Sequence, residues 1–144
     1  MKQLFLILAL LPITLFAQKQ TGEIAPVDTT VYNVVEKMPE YPGGISKLAS
    51  DFREYRDKLY ERLYPDPVER VRWMGGDIRG RVIVSVIVHE DGQITDPVFT
   101  RTIDPNIGLF EKEALKFIKS MPRWIPGESR GKKVKVRYTL PFLF

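Results

Sequence analysis

The sequence predicts an α+β domain: a small antiparallel three-stranded sheet with two helices packed on one face, in the order α-β-β-α-β. Three observations predict it. An apolar stripe at helical spacing runs from Ile45 to Leu63. A β-branched run, Arg81 to His89, leads into an Asp-Gly turn and a second extended segment. A second helical stripe, Phe110 to Met121, precedes an alternating run that ends the chain.

The elements follow in order. Val31 to Glu36 (VYNVVE) has the composition of a short strand. Met38 to Gly44 holds two prolines and two glycines, which excludes regular structure there. Ile45, Leu48, Phe52, Tyr55, Leu59 and Leu63 are spaced by three or four, a helix with one buried face. Its other face carries Asp51, Arg53, Arg56, Asp57, Lys58, Glu61 and Arg62. Pro65 and Pro67 end it, and Val68 to Met74 suits a further helical turn closed by Gly75-Gly76. In the strand that follows, Val82, Val84, Val86 and Val88 share one face, while Ile83, Ser85 and Ile87 share the other. Glu90 to Gln93 forms a tight hairpin turn. The next strand spans Ile94 to Ile103, and its Pro97, having no N–H, implies an edge, a bulge or a late start. Asp104-Pro105-Asn106 has the chemistry of a helix start, and Pro122 stops that helix. After Trp124, Ile125 and Pro126, Gly127 to Gly131 reads as a turn. In the last strand, Lys132 to Phe144, Val134, Val136, Tyr138 and Leu140 alternate with Lys133, Lys135, Arg137 and Thr139.

The N-terminus predicts export. Lys2 precedes an apolar run, Leu4 to Phe16, and Ala17-Gln18 offers a small-residue cleavage site, the layout of a signal peptide over residues 1–17. The run is 13 residues long and carries Pro12, short of the ~20 apolar residues a spanning helix needs. The expected location is therefore the periplasm, with the inner membrane as the alternative if the segment stays uncleaved. Residues 18–30 read as a flexible lead, and residues 31–144 as one domain. The 144 residues include no cysteine, which excludes disulfides, thiolate metal sites and a lipid-modified cysteine.

Charge and chemistry narrow the function. The chain carries a net +4, or +3 without Lys2. The segment Arg123 to Arg137 concentrates six Lys and Arg against the single acid Glu128. It has no aromatic interleaving, so nucleic acid is not the expected partner. His89 is the only histidine, beside Glu90-Asp91 at a strand end, where it lacks partners for a triad or a metal site. Neither Ser85 nor Ser129 has a base, and Gly43-Gly44 and Gly75-Gly76 lack the following Lys-Ser/Thr of a phosphate loop. The sequence therefore predicts a non-enzymatic protein with no catalytic residues, no cofactor and no metal.

Four segments resemble the C-terminal domain of TonB energy transducers. They are VVEKMPEYPGG (Val34–Gly44) before a helix; GRVIVSVIVHEDGQITD (Gly80–Asp96) with its Gly-x-Val-x-Val strand and Asp-Gly hairpin; FEKEALKFIKSMPRWIPG (Phe110–Gly127) with its Trp-x-x-Pro exit; and RGKKVKVRYTLPFLF (Arg130–Phe144). Together they cover residues 31–144, with Gly80, Asp91, Gly92, Trp124 and Pro126 as motif positions. One stretch departs from the pattern: after Tyr64-Pro65 the segment DPVERVRWMGGDIR is longer than the family's.

The resemblance implies docking of a short peptide, the TonB box of an outer-membrane transporter, as an added strand beside the last strand. It implies an edge at Lys133, Val134, Lys135, Val136, Arg137 and Tyr138, with Tyr64 and Pro65 near the peptide. Lys133, Lys135 and Arg137 would discourage self-pairing of that edge and attract an acidic peptide. A full transducer also has a membrane anchor and a long Pro-rich spacer, so the expectation here is docking without transduction by the chain itself. The competing expectation is an envelope structural module, a homodimer or a peptidoglycan-associated protein.

Overall fold

A computed structural model describes residues 28–75, 80–105 and 108–144. The expected signal peptide and most of the expected lead lie outside the described residues. No helix among the described residues is long and apolar enough to cross a membrane.

The described residues open with a short strand β1 (Val31–Tyr32), then helix α1 (Gly44–Leu63) and helix α2 (Pro67–Met74). Strands β2 (Arg81–Val88) and β3 (Ile94–Ile103) form the hairpin, followed by helix α3 (Leu109–Ser120). Strands β4 (Gly127–Ser129) and β5 (Lys132–Leu143) end it. The fold is α+β, as expected, but the described residues hold three helices and a larger sheet. The sheet order is β1-β5-β2-β3, with β4 pairing β5 off that path. It is mixed, because β1 runs parallel to β5.

Three local expectations are corrected. Val31 to Glu36 yields only a two-residue strand, since the chain turns away to pair Lys37 with Glu128 and Glu40 with Ile125. The Gly127–Gly131 turn is itself mostly strand: only Arg130-Gly131 turn, both with positive φ, while Gly127–Ser129 pairs with β5. Helix α3 starts at Leu109 behind Gly108 rather than at Asp104. Asp104 still serves it, because its Oδ2 accepts the N–H of Phe110 at 2.9 Å.

The core lies between one sheet face and the two longer helices. Val82, Val84, Val86 and Val88 are fully buried, as are Val136, Leu140 and Phe142. Phe52 of α1 joins the layers, its ring 5.2 Å from Phe117 of α3 and 4.7 Å from Phe142 of β5. Phe110 stacks on Phe144 at 4.5 Å, and this stack passes so close to Gly80 that a Cβ there would lie 2.1 Å from the Phe110 ring. Burial of each such side chain contributes about 1.5–3 kcal/mol.

Pro97 is accommodated twice over, because β3 is an outer strand and irregular. The β2–β3 register shifts between Ser85 and Ile87, opposite Asp96-Pro97, and again between Ile83 and Val84. Asp96 adopts φ 51 there. These bulges spoil β3 as a template for another strand.

Candidate functional site

Strand β5 has two sides with different fates. On one side it pairs with β2 from Val136 to Leu143. Phe144 donates its N–H to the Gly80 carbonyl at 2.9 Å. In an antiparallel ladder the bonded pairs recur every second residue, so Phe142, Leu140, Tyr138 and Val136 exchange bonds with β2. The backbone groups of Arg137, Thr139, Pro141 and Leu143 therefore point the other way. On that outer side β1 pairs with Lys135 and Val136, and β1 then ends. Among the described residues no strand pairs with Arg137–Leu143 on the outer side.

Beside this open edge lies a groove of about 370 Å³. Ile45, Leu48, Ala49 and Phe52 of α1 form one wall, and Tyr138 to Leu143 of β5 the other. Arg53 and Arg56 stand at its rim. Ile45 and Leu143 are exposed, so part of the apolar lining is uncovered. Arg56 is held by Asp57 at 3.1 Å. A strand laid on the edge would find outward N–H groups at Thr139 and Leu143, and carbonyls between them. Alternate side chains of that strand would enter the groove.

The residues expected at the edge are split by this arrangement. Lys133 and Val134 pair with β4, and Lys135 and Val136 with β1, so the last strand is not outermost along its first half. Arg137 lies on the open edge. Tyr138 turns its backbone to β2 and its side chain to the groove, with its ring 5.1 Å from Trp124. Tyr64 and Pro65 sit past the end of α1 and do not line the groove. Tyr64 stacks on Tyr60 at 6.1 Å, and its carbonyl, like that of Pro65, accepts Arg70.

Sequence reasoning missed the α1 wall and the true extent of the edge. Two signals carry them. Pro141 has no N–H, so it belongs on the side of β5 that makes no ladder. The apolar stripe of α1 also continues to Ile45 and Ala49, beyond what the sheet covers.

The motif positions hold the scaffold. Asp91 Oδ1 accepts the N–H of Gln93 at 2.9 Å, and its Oδ2 accepts Arg123 at 2.8 Å. Those contacts hold the Asp91 carboxyl below its usual range, the Gln93 N–H first and the Arg123 side chain next. Trp124 is buried edge-on against Tyr41 and donates its backbone N–H to Gly92 at 2.9 Å. Pro126 follows Ile125, whose backbone pairs with Glu40. His89 Nε2 lies 2.6 Å from Thr95 Oγ1 within the hairpin, and Ser85 is buried. Among the described residues no group of His, Asp and Glu is placed to hold a metal ion.

Among the described residues, then, the sheet has a bulged edge at β3 and, at β5, an open one beside an apolar groove. Residues 64–144 match the family of the Gram-negative bacterial TonB protein C-terminal, and the chain belongs to that family. The match begins at the end of α1, so β1 and α1 lie outside it. No curated protein matches the chain. Membership places the domain in the Gram-negative envelope and among TonB-type domains, which interact with outer-membrane TonB-dependent transporters.

Proposed function

We propose that the chain is a periplasmic docking domain of TonB-dependent transport that takes a TonB-box-like segment of an outer-membrane transporter as an added strand on β5. The observation that carries this reading is the unpartnered edge Arg137–Leu143 running beside the α1 groove. Strand addition reads mainly backbone, which fits a site without catalytic or metal-binding side chains. The groove then selects the guest's alternate side chains for apolar character. Arg137, Arg53 and Arg56 favour a guest with acidic residues beside them. The export expected from residues 1–17 brings the domain to the compartment where such segments are presented.

Titration of the isotope-labelled chain with a synthetic transporter TonB-box peptide tests the reading. The amides of Thr139 and Leu143 are expected to shift most. Thr139→Pro removes one outward N–H while leaving the β2 ladder whole, as Pro141 already does. It is expected to weaken the peptide by about 2- to 10-fold, the worth of one hydrogen bond of about 0.5–1.5 kcal/mol. Shifts confined to β3, or no shift with any such peptide, would sink the assignment.

A further inference from the structure

Strand β1 stops where the open edge begins, and its own continuation has the residues to go on. Val31 pairs with Lys135 and Tyr32 with Val136, in parallel. Carrying that register forward places Asn33 opposite Arg137, Val34 opposite Tyr138 and Val35 opposite Thr139. In the structure Val34 is instead 81 % exposed, a β-branched side chain in solvent. Opposite Tyr138 it would face the groove, over Ile45 and Leu48. Asn33 and Val35 would face the uncovered side of the sheet with Arg137 and Thr139.

What holds the segment away is small. Lys37 and Glu128 exchange two backbone hydrogen bonds, 3.2 and 2.8 Å, and a side-chain ion pair of 3.7 Å between solvated groups. Extending β1 shortens the return path to Glu40 and opens that pair. In exchange, the Arg137 carbonyl and the Thr139 N–H gain partners from Val34, and Val34 is buried. The two arrangements exchange like for like in backbone bonds, and the burial of one valine is set against one exposed ion pair, which is worth little.

We propose that residues Asn33–Val35 are a second occupant of the β5 edge: by extending β1 they close Arg137–Thr139, and a guest peptide must displace them. The competition rests on the docking reading above; the extension itself does not. The partner the edge fits is thus, in the resting chain, its own N-terminal strand, and the length of open edge is set by how far that strand has grown.

The chain has no cysteine, so an introduced pair is read without background. In the full chain, Val35→Cys with Thr139→Cys joins residues that become opposite only on extension, at the ~4.8 Å spacing of neighbouring strands, within disulfide reach. Val31→Cys with Lys135→Cys, opposite in the structure, calibrates the oxidation. The expected result is an intramolecular crosslink from both pairs in the monomer. Oxidised Val35→Cys/Thr139→Cys chain should bind the transporter TonB-box peptide at least tenfold more weakly than the same chain reduced. A crosslink from the calibrating pair alone overturns the extension, and one formed only in dimers overturns its intramolecular form. A full 35–139 crosslink with peptide affinity unchanged overturns the competition. If no such peptide binds even the reduced chain, the docking reading and the competition fail together, while the crosslink still decides the extension.

Discussion

Gly92→Ala is expected to destabilise the domain by about 3 kcal/mol, the sum of left-handed backbone strain of about 1–2 kcal/mol and an overpacking cost of about 1–3 kcal/mol. Gly92 has φ +82, a region that residues with a Cβ enter only at a cost. The second cost is contact. A Cβ on Gly92 would lie 2.0 Å from the carbonyl oxygen of Trp124 and 3.0 Å from its nitrogen. Those are backbone atoms, and the same Trp124 N–H is bonded to the Gly92 carbonyl, so neither side can withdraw without breaking the bond. Movement of Trp124 would also disturb Tyr41 and Tyr138, whose rings it touches edge-on. Thermal melts of the purified variant should show a midpoint lower by about 10 °C or more, given about 3–6 °C per kcal/mol for a domain of this size. A shift of only 1–2 °C would show that the hairpin turn is not held by Trp124.

The same contact shows how much the sequence revealed and where it stopped. Asp91-Gly92 was legible as a hairpin turn because a positive φ is a local demand and leaves a local mark. That the turn's glycine also has to clear the backbone of a tryptophan 32 positions on is a tertiary fact, with no local pattern to announce it. The long elements were legible for the same reason as the turn. The period of Ile45–Leu63 and the valine alternation of β2 are written in residues that contact one face each. The short strands were not. Val31 to Glu36 carries strand composition throughout, yet only its first two residues pair, because the pull of Glu128 on Lys37 decides where the chain leaves β5. Composition states a preference for extension but not which neighbour is in reach. The site suffered likewise. Lys133, Lys135 and Arg137 look alike in sequence, and only the placement of β1 and β4 separates the lysines, which have β4 and β1 opposite them, from Arg137.

The open edge and the closed core depend on each other through α1. The helix that walls the groove with Ile45, Leu48 and Ala49 is the one that buries Phe52 and Leu59. Its position against the sheet sets the groove's width. What fixes α1 against α3 therefore also fixes the site, and Glu113 is a polar tie between those helices.

Glu113 has a side chain only 3 % exposed, in the middle of α3. Its Oε2 accepts the Tyr55 hydroxyl at 2.7 Å and Arg62 at 3.3 Å, both from α1. Its Oε1 accepts Lys116 at 2.7 Å. Burial alone would push the carboxyl up, but the bonds from Lys116 and Tyr55 and the charges of Lys116 and Arg62 outweigh it, so its pKa is lowered. Tyr55 responds in the opposite sense: burial and the carboxylate beside it push its hydroxyl up to about 12. Glu113→Ala is expected to cost about 2–3 kcal/mol, since it removes a packed side chain and strands a part-buried hydroxyl. Glu113→Gln keeps the shape and an acceptor for Tyr55, and should cost about 1 kcal/mol, the difference between a charged and a neutral acceptor. The pH dependence separates charge from packing. A carboxyl with a lowered folded pKa binds its proton more readily when the chain is unfolded, so its contribution is complete above the unfolded value of about 4.3 and fades as pH falls through the folded value. Urea midpoints of the parent chain should therefore drop below about pH 5, and the Gln variant should drop less steeply over the same range. Parallel slopes in the two chains would assign the acid sensitivity to other carboxylates and reduce Glu113 to packing; a shallower slope in the variant ties the spacing of α1 and α3, and with it the groove, to one buried charge.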